Sequence, residues 1–192
     1  MSAARVLAGA LERYRAGNAG GVYDETLDVV IDRVQAAGCL TKADIGSLVL
    51  WKRISAQTRW ATDLGNTPDS DVRTTTSKAF ALANELSLSI PSAGQEARWV
   101  LNSLPGMSSA SEGALASAVL LACAPKRMAI WDRRVKAALA TPAIATPVEA
   151  GHRYYGRYLD AVVELGRAME AELGAPVTPR EVDLALWELG GS

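Results

Sequence analysis

Apolar residues recur with helical spacing along almost the whole of this 192-residue chain, and no segment alternates polar and apolar residues as a half-buried strand would. Because a helix with one apolar stripe must bury that stripe against other helices, this periodicity excludes sheet-based architectures. The sequence therefore predicts an all-α protein, a compact bundle of about nine helices. We expect a single domain over residues 1–192, either as one bundle or as two lobes that share one core.

Capping signals divide the chain into its predicted helices. Residues 41–44, 92–95 and 178–181 each place a Ser or Thr three positions before an acid or amide, which predicts a helix start. Gly38 is placed to end the helix before the first of these signals. That helix has an apolar stripe comprising Val22, Leu27, Val30, Ile31 and Val34. Further helices are predicted from about 71 to 86, from the 92–95 signal to Leu104, and from about 152 to 173.

Composition limits the class of protein. No apolar run approaches the ~20 residues needed to span a bilayer, and the first segment lacks the pattern of a signal peptide, so we expect a cytoplasmic protein. Cys39 and Cys123 lie far apart in apolar surroundings, which favours free thiols over a disulfide. No Cys/His cluster has the spacing of metal ligands, so we expect neither a metal nor another cofactor.

The formal net charge of −1 argues against a protein that coats nucleic acid non-specifically, because such proteins are clearly basic. One cluster of cations nevertheless stands out within eleven residues. Its members are Lys126, Arg127, Arg133, Arg134 and Lys136. A run of this kind is either a solvated helix face or a patch that contacts phosphates.

Residues 101–139 carry the most specific pattern of the chain. A Leu104-Pro105-Gly106 turn leads into a helix of small apolar residues, which ends at a Pro-Lys-Arg bend. The apolar run 128–131 follows and ends on Asp132, which opens another helix. The predicted hairpin therefore occupies about residues 92–140.

This order resembles the core of the helix-hairpin-helix (HhH-GPD) DNA glycosylase superfamily, whose hairpin is followed by an apolar run, an aspartate and a helix. A second, weaker likeness lies at residues 38–44 and 50–53, which resemble a block of small stand-alone proteins with a glycosylase-like core. The resemblance implies an all-α fold, binding of double-stranded DNA by a monomer, flipping of a base out of the duplex, and Asp132 as the catalytic residue.

Two departures from the family pattern concern the hairpin turn. Ser108 stands where the family has its second glycine, and about four extra residues precede the small-residue helix. Residues 109–112 read as a capping box, so the insertion either starts the helix one turn early or lengthens the turn and weakens phosphate binding. Without Asp132 downstream, the segment would read as an ordinary helix–turn–helix corner.

Asp132 has two compatible interpretations. An aspartate at a helix start is a common N-cap that needs no further function. A carboxylate at that place also stabilises positive charge on deoxyribose as a base leaves, and orients the attacking water. The resemblance favours the second role in addition to the first.

The resemblance also suggests which residues meet DNA. The hairpin and its basic flank would hold phosphates through Gly106, Ser108, Ser109, Lys126, Arg127, Arg133 and Arg134. The candidates for a base pocket are Trp51, Lys52, Trp60, Trp99 and Trp131. A tryptophan at helical spacing is more often part of the core, so these indoles are either stacking platforms or core residues.

No lysine lies between Gly106 and Pro125, where bifunctional members of the superfamily carry their nucleophilic amine. The resemblance therefore implies a monofunctional DNA glycosylase that hydrolyses the N-glycosidic bond and leaves an abasic site. The excised base is either a damaged base in host DNA, as in DNA repair, or a modified phage base such as glycosylated hydroxymethylcytosine, as in antiviral defence. The alternative is a non-catalytic module of the same fold that binds DNA or a protein.

Overall fold

The computed structural model describes residues 2–18, 22–108, 113–149 and 151–191, and within them every regular element is a helix. Ten helices occur in this part of the chain, one more than the nine or so predicted. They are α1 (Ala3–Gly17), α2 (Glu25–Ala37), α3 (Lys42–Trp51), α4 (Arg59–Asn66), α5 (Asp69–Asn84), α6 (Ile90–Leu101), α7 (Gly113–Cys123), α8 (Arg133–Leu139), α9 (Tyr154–Leu173) and α10 (Pro179–Leu189). The predicted all-α class is confirmed.

The helices pack as two groups around one continuous core. In the first group α2, α3, α5 and α6 surround α7, of whose eleven residues only Ala114 is not buried. In the second group α1 packs on α9 and α10, and α10 also packs on α8. The contact between α6 and α9 joins the groups, and one cluster of buried apolar side chains runs through both.

Three predicted helix ends are confirmed. Thr41 and Thr178 each form a capping box with the acid three positions later, at the starts of α3 and α10. Gly38 ends α2 in the left-handed conformation, with φ of 67°. These signals are local because each depends only on residues within one turn of the helix end.

Other predicted boundaries are wrong. The N-cap of α6 is Ser89 rather than Ser92, and the Ser89 side chain accepts a hydrogen bond from the Ser92 N–H. Gln95 is buried instead of capping, and its Oε1 accepts from the Gly156 N–H. Val22 is 72% exposed and does not belong to the core stripe of α2. The capping box predicted over 109–112 lies outside the described residues.

Both cysteines are free, as predicted. No helix in the described ranges is long and apolar enough to cross a membrane. Within the same ranges, no three Cys, His, Asp or Glu side chains are grouped so that they could hold a metal ion.

Candidate functional site

The extended segment that leads to Asp132 is fixed by side chains from two helices. Tyr155 and Tyr158 of α9 donate hydrogen bonds to the carbonyl oxygens of Ala129 (2.9 Å) and Ile130 (2.8 Å). The Trp131 N–H donates to Ser117 Oγ of α7 at 3.0 Å. Buried backbone groups outside regular structure need such partners, so these side chains hold the segment that carries Asp132.

Asp132 is the N-cap of α8. Its Oδ1 accepts hydrogen bonds from the backbone N–H groups of Arg134 (3.0 Å) and Val135 (3.1 Å). The carboxylate is therefore fixed by the helix that it starts, as the sequence predicts. Its second oxygen, Oδ2, takes no part in the cap.

Lys52 reaches Asp132 from the end of α3, eighty residues earlier in the chain. Its Nζ lies 2.7 Å from Asp132 Oδ2, and the two side chains are only 10% and 13% exposed. The ammonium also lies 5.4 Å from the centre of the Trp51 ring. The attraction between two charges so shielded from water is screened less than in a surface pair, and both charges have also lost hydration, so removal of either partner would leave the other charge buried and unpaired.

This ion pair lies in the wall of a cleft of about 960 Å³ between the two helix groups. Four aromatic rings line the cleft, from Tyr23, Trp131, Tyr154 and Trp187. Its cationic side chains are Lys52, Arg53, Arg133, Arg134 and Lys136, and Asp132 is the one carboxylate among the described residues that line it. The chain as a whole is slightly acidic, so cationic charge is concentrated at this cleft.

Close packing shapes two walls of the cleft. Trp131 lies against Tyr154 and Tyr158, with ring centres 5.7 and 5.0 Å apart. A Cβ at Gly113 would come within 2.7 Å of the Trp131 ring, so the glycine at the start of α7 permits this arrangement. At another wall, the guanidinium carbon of Arg134 lies 4.3 Å from the centre of the Trp187 ring.

A second layer of charge lies behind Lys52. Arg180 pairs with Asp183 at 2.6 Å and with Asp24 at 3.5 Å, and Asp24 also accepts a hydrogen bond from Trp51 Nε1. Burial raises the pKa of Asp183 to about 6, although the positive charges of Arg180 and Lys52 act against that rise. Asp183 also responds to the charge of Asp132, so the two layers are electrostatically connected.

Five of the predicted site residues meet at this cleft, namely Lys52, Trp131, Asp132, Arg133 and Arg134. Trp51 is instead buried beneath Lys52, with its indole N–H bonded to Asp24. Trp99 does not line the cleft, and its ring lies against the His152 ring and the Arg153 guanidinium. Trp51 thus belongs to the core, whereas Trp99 is only partly buried and lies neither in the core cluster nor at the cleft.

Gly106 and Trp60 contact each other. Gly106 is buried with φ of 81°, and a Cβ there would come within 2.5 Å of the Trp60 ring. The absence of a side chain at Gly106 therefore lets the Trp60 indole of α4 pack against its backbone. Neither residue lines the cleft. A phosphate contact at Gly106 stays a prediction.

The remaining basic and hairpin residues lie elsewhere. Arg127 donates to the carbonyl oxygens of Glu85 and Leu88 and so ties the bend before residue 128 to the α5–α6 connection. Lys126 and Ser108 are exposed outside the cleft. Ser109 lies outside the described residues.

Sequence reasoning did not assign Tyr23, Tyr154 or Trp187 to the site. It left Lys52 and Arg53 equally open as phosphate contacts or as solvent-facing residues, and both line the cleft. Trp187 and Tyr154 fit the apolar stripes of their helices, and nothing in those stripes distinguishes a ring at a cleft from a ring in the core. Arg53 follows directly after Lys52, yet the sequence alone does not show that α3 ends there.

Comparisons of this chain with protein families, with curated proteins and with solved structures gave no match.

Proposed function

We propose that this chain is a monofunctional DNA glycosylase that hydrolyses an N-glycosidic bond with Asp132 and leaves an abasic site. One observation carries the proposal: the N-cap carboxylate that the sequence pattern singles out lies in the wall of a cleft lined by aromatic rings and cations. Rings suit a base and cations suit the phosphates on either side of it. The volume lies near the upper end of the range of about 300–1,000 Å³ typical of ligand pockets.

In this proposal the flipped nucleotide enters the cleft with its base against the rings of Trp131 and Tyr154. Asp132 Oδ1 remains bound to the start of α8, which holds the carboxylate still. Its Oδ2, shared with Lys52, faces the sugar and stabilises positive charge there as the base leaves. The bond between C1′ and the base nitrogen breaks, the hydroxyl of a water molecule adds to C1′, and the proton that this water loses ends on the departed base.

Two substrate classes fit this chemistry. One is a damaged base in host DNA, and the other is a bulky modified base such as glycosylated hydroxymethylcytosine in phage DNA. The wide cleft accommodates a base with a large substituent, which supports the second class without removing the first.

One observation favours a second candidate function, a module that recognises DNA without cutting it. Both oxygens of Asp132 already have partners within the protein, two backbone N–H groups and the Lys52 ammonium. Those contacts account for the residue as a cap and an ion-pair partner. The two functions differ in whether base release requires the charge of Asp132.

The deciding experiment uses Asp132→Asn. The amide keeps the cap but removes the charge, so base release should fall by at least about a hundredfold, as happens when an electrostatic stabiliser is lost. Release is measured by chromatography on duplexes that carry uracil, oxidised or alkylated bases, and on DNA with glycosylated hydroxymethylcytosine. The free energy of unfolding should fall by about 1–3 kcal/mol, because the Lys52 ammonium loses its charged partner.

Two variants keep this test interpretable. Asp69→Asn alters another acid at a helix start, outside the cleft, and should leave base release unchanged. The double variant Asp132→Asn/Lys52→Met removes the unpaired ammonium and should recover part of the lost stability without activity. Undiminished base release by folded Asp132→Asn would falsify the assignment of Asp132.

A further inference from the structure

Arg53 occupies a backbone position where glycine is the usual residue. It follows α3 with φ of 52°, in the left-handed region. The Ile54 N–H bonds to the Val49 carbonyl and the Arg53 N–H to the Leu50 carbonyl, which is the hydrogen-bond pattern of a Schellman motif. An L-residue with a side chain is disfavoured in this conformation.

The same chain ends two other helices in this conformation with glycine. Gly38 ends α2 with φ of 67°, and Gly174 ends α9 with φ of 68°. Neither of these glycines lines the cleft, whereas Arg53 does. The helix end that carries a long cation instead of glycine is thus the one beside Asp132.

No contact of the Arg53 side chain with a described residue accounts for an arginine at this position. The residue is exposed, and its guanidinium makes no hydrogen bond, ion pair or ring contact with any described residue. Its neighbour Lys52 is committed to Asp132, and Arg134 is stacked on Trp187. Arg53 is therefore a cation free to bind a ligand, held at the cleft by a backbone that disfavours it. Strain of this kind is concentrated at functional sites.

We propose that Arg53 binds a backbone phosphate next to the nucleotide that enters the cleft, and that its left-handed backbone positions the guanidinium for this contact. The inference rests on the proposed function in one respect, that the ligand is DNA. An Arg guanidinium matches a phosphate because its planar fork presents two parallel N–H donors. A carboxylate ligand would meet the same fork, but the cleft's excess of cations and its rings suit a nucleotide strand better.

The test measures stability and DNA binding on the same variants. Arg53→Gly relieves the backbone, so its urea midpoint should rise, while its affinity for a short fluorescent duplex with an abasic-site analogue should fall roughly tenfold. The magnitude of the slope of log K against log salt should decrease by about 0.9, which corresponds to the loss of one phosphate contact. Arg53→Lys keeps the charge and should retain that slope. Arg53→Asn tolerates the left-handed backbone without charge and should behave as Arg53→Gly does.

Ala145 provides the matched control, because it is the other described non-glycine residue with positive φ, at 51°, and it does not line the cleft. Ala145→Gly should raise stability in the same way with no change in DNA binding. If Arg53→Gly binds the duplex as the wild type does, this proposal is overturned even when Asp132→Asn is inactive. If Arg53→Gly binds the duplex weakly and the wild-type protein releases no base, the phosphate contact is supported and the glycosylase function is overturned. A wild type that binds no duplex overturns both.

Discussion

At the scale of single residues, the carboxylate of Asp132 both caps a helix and forms an ion pair at the cleft. One oxygen is held by the backbone of α8, and the other is held by an ammonium from α3. Because the second partner is a lysine, the question of which group attacks the sugar becomes a question about Lys52. Its Nζ is engaged with Asp132 Oδ2 at 2.7 Å, so the proposed function assigns the attack to water rather than to this lysine.

The products should therefore be those of a monofunctional enzyme. Borohydride should trap no covalent adduct between the protein and a cleavable duplex, and strands should break only after alkali is added. Gel electrophoresis of the reaction under denaturing conditions measures both. An adduct that disappears in Lys52→Met would show instead that this amine attacks the sugar.

The stability of the protein should depend on pH through Asp183, which is 1% exposed. Its pKa is about 6 in the folded protein against 3.8 as the ordinary value, so folding takes up a proton between these values. Its contribution to the free energy of unfolding is therefore full below about pH 4 and declines as the pH rises through 6. The difference in unfolding free energy between wild type and Asp183→Asn should fall by up to about 3 kcal/mol from pH 4 to 7. Urea titrations at four pH values measure it, and a difference that is constant with pH would contradict the raised pKa.

At the scale of elements, the sequence predicted what depends on neighbours within a helical turn. The caps of α3 and α10 and the end of α2 belong to this class, as does Asp132 at the start of α8. The start of α6 was misplaced because Ser89 and Ser92 are both competent caps, and the choice depends on Gln95 bonding across to α9. The ion pair of Asp132 with Lys52 and the place of Trp187 at the cleft could not be predicted, since they depend on how α3 and α10 pack within the fold.

Trp187 lies on α10, which packs against α8 beside the cleft. Substitutions at two glycines measure how much this contact contributes to stability. A Cβ at Gly190 would lie 2.2 Å from the carbonyl oxygen of Arg134, so Gly190→Ala should push the helices apart and cost about 1–3 kcal/mol. Gly46→Ala is the matched control within α3, where a Cβ meets nothing within 4 Å. It should gain roughly 0.5–1 kcal/mol from helix propensity. Chemical denaturation of both variants measures the two changes, and equal effects would mean that the α8–α10 contact relaxes without cost.

At the scale of the whole molecule, charge is distributed unevenly. The chain carries a net charge of −1, yet the cleft gathers five cations around one acid. The sequence predicted a local basic patch, and its members Arg133, Arg134 and Lys136 lie at the cleft, whereas Lys126 and Arg127 do not. The other two cations of the cleft, Lys52 and Arg53, come from the end of α3, which no local sequence pattern connects to residues 133–136.

DNA binding should therefore depend on salt to a limited extent. The slope of log K against log salt should correspond to roughly two to five phosphate contacts at about 0.9 each. Arg133→Ala should lower that slope similarly for all sequences, because phosphates carry no base identity. The double variant with Arg134→Ala should lower it further, with circular dichroism to check α8, since Arg134 also packs on Trp187.

The control for this titration is Arg167→Ala, which removes the same charge from an exposed site on α9 outside the cleft. Its slope and affinity should equal those of the wild type. If Arg133→Ala and Arg167→Ala behave alike, the DNA-facing surface lies elsewhere on the protein.

The walls of the cleft come from both groups of helices, with Tyr23 near one end of the chain and Trp187 near the other. A ligand that spans them therefore binds the native state and has no corresponding site in the unfolded chain. By linkage, a duplex at one hundred times its dissociation constant would add about 2.7 kcal/mol to the free energy of unfolding. Under the proposed function, occupancy of the cleft by DNA would protect the fold, and the protein would be most exposed to proteolysis in the absence of DNA.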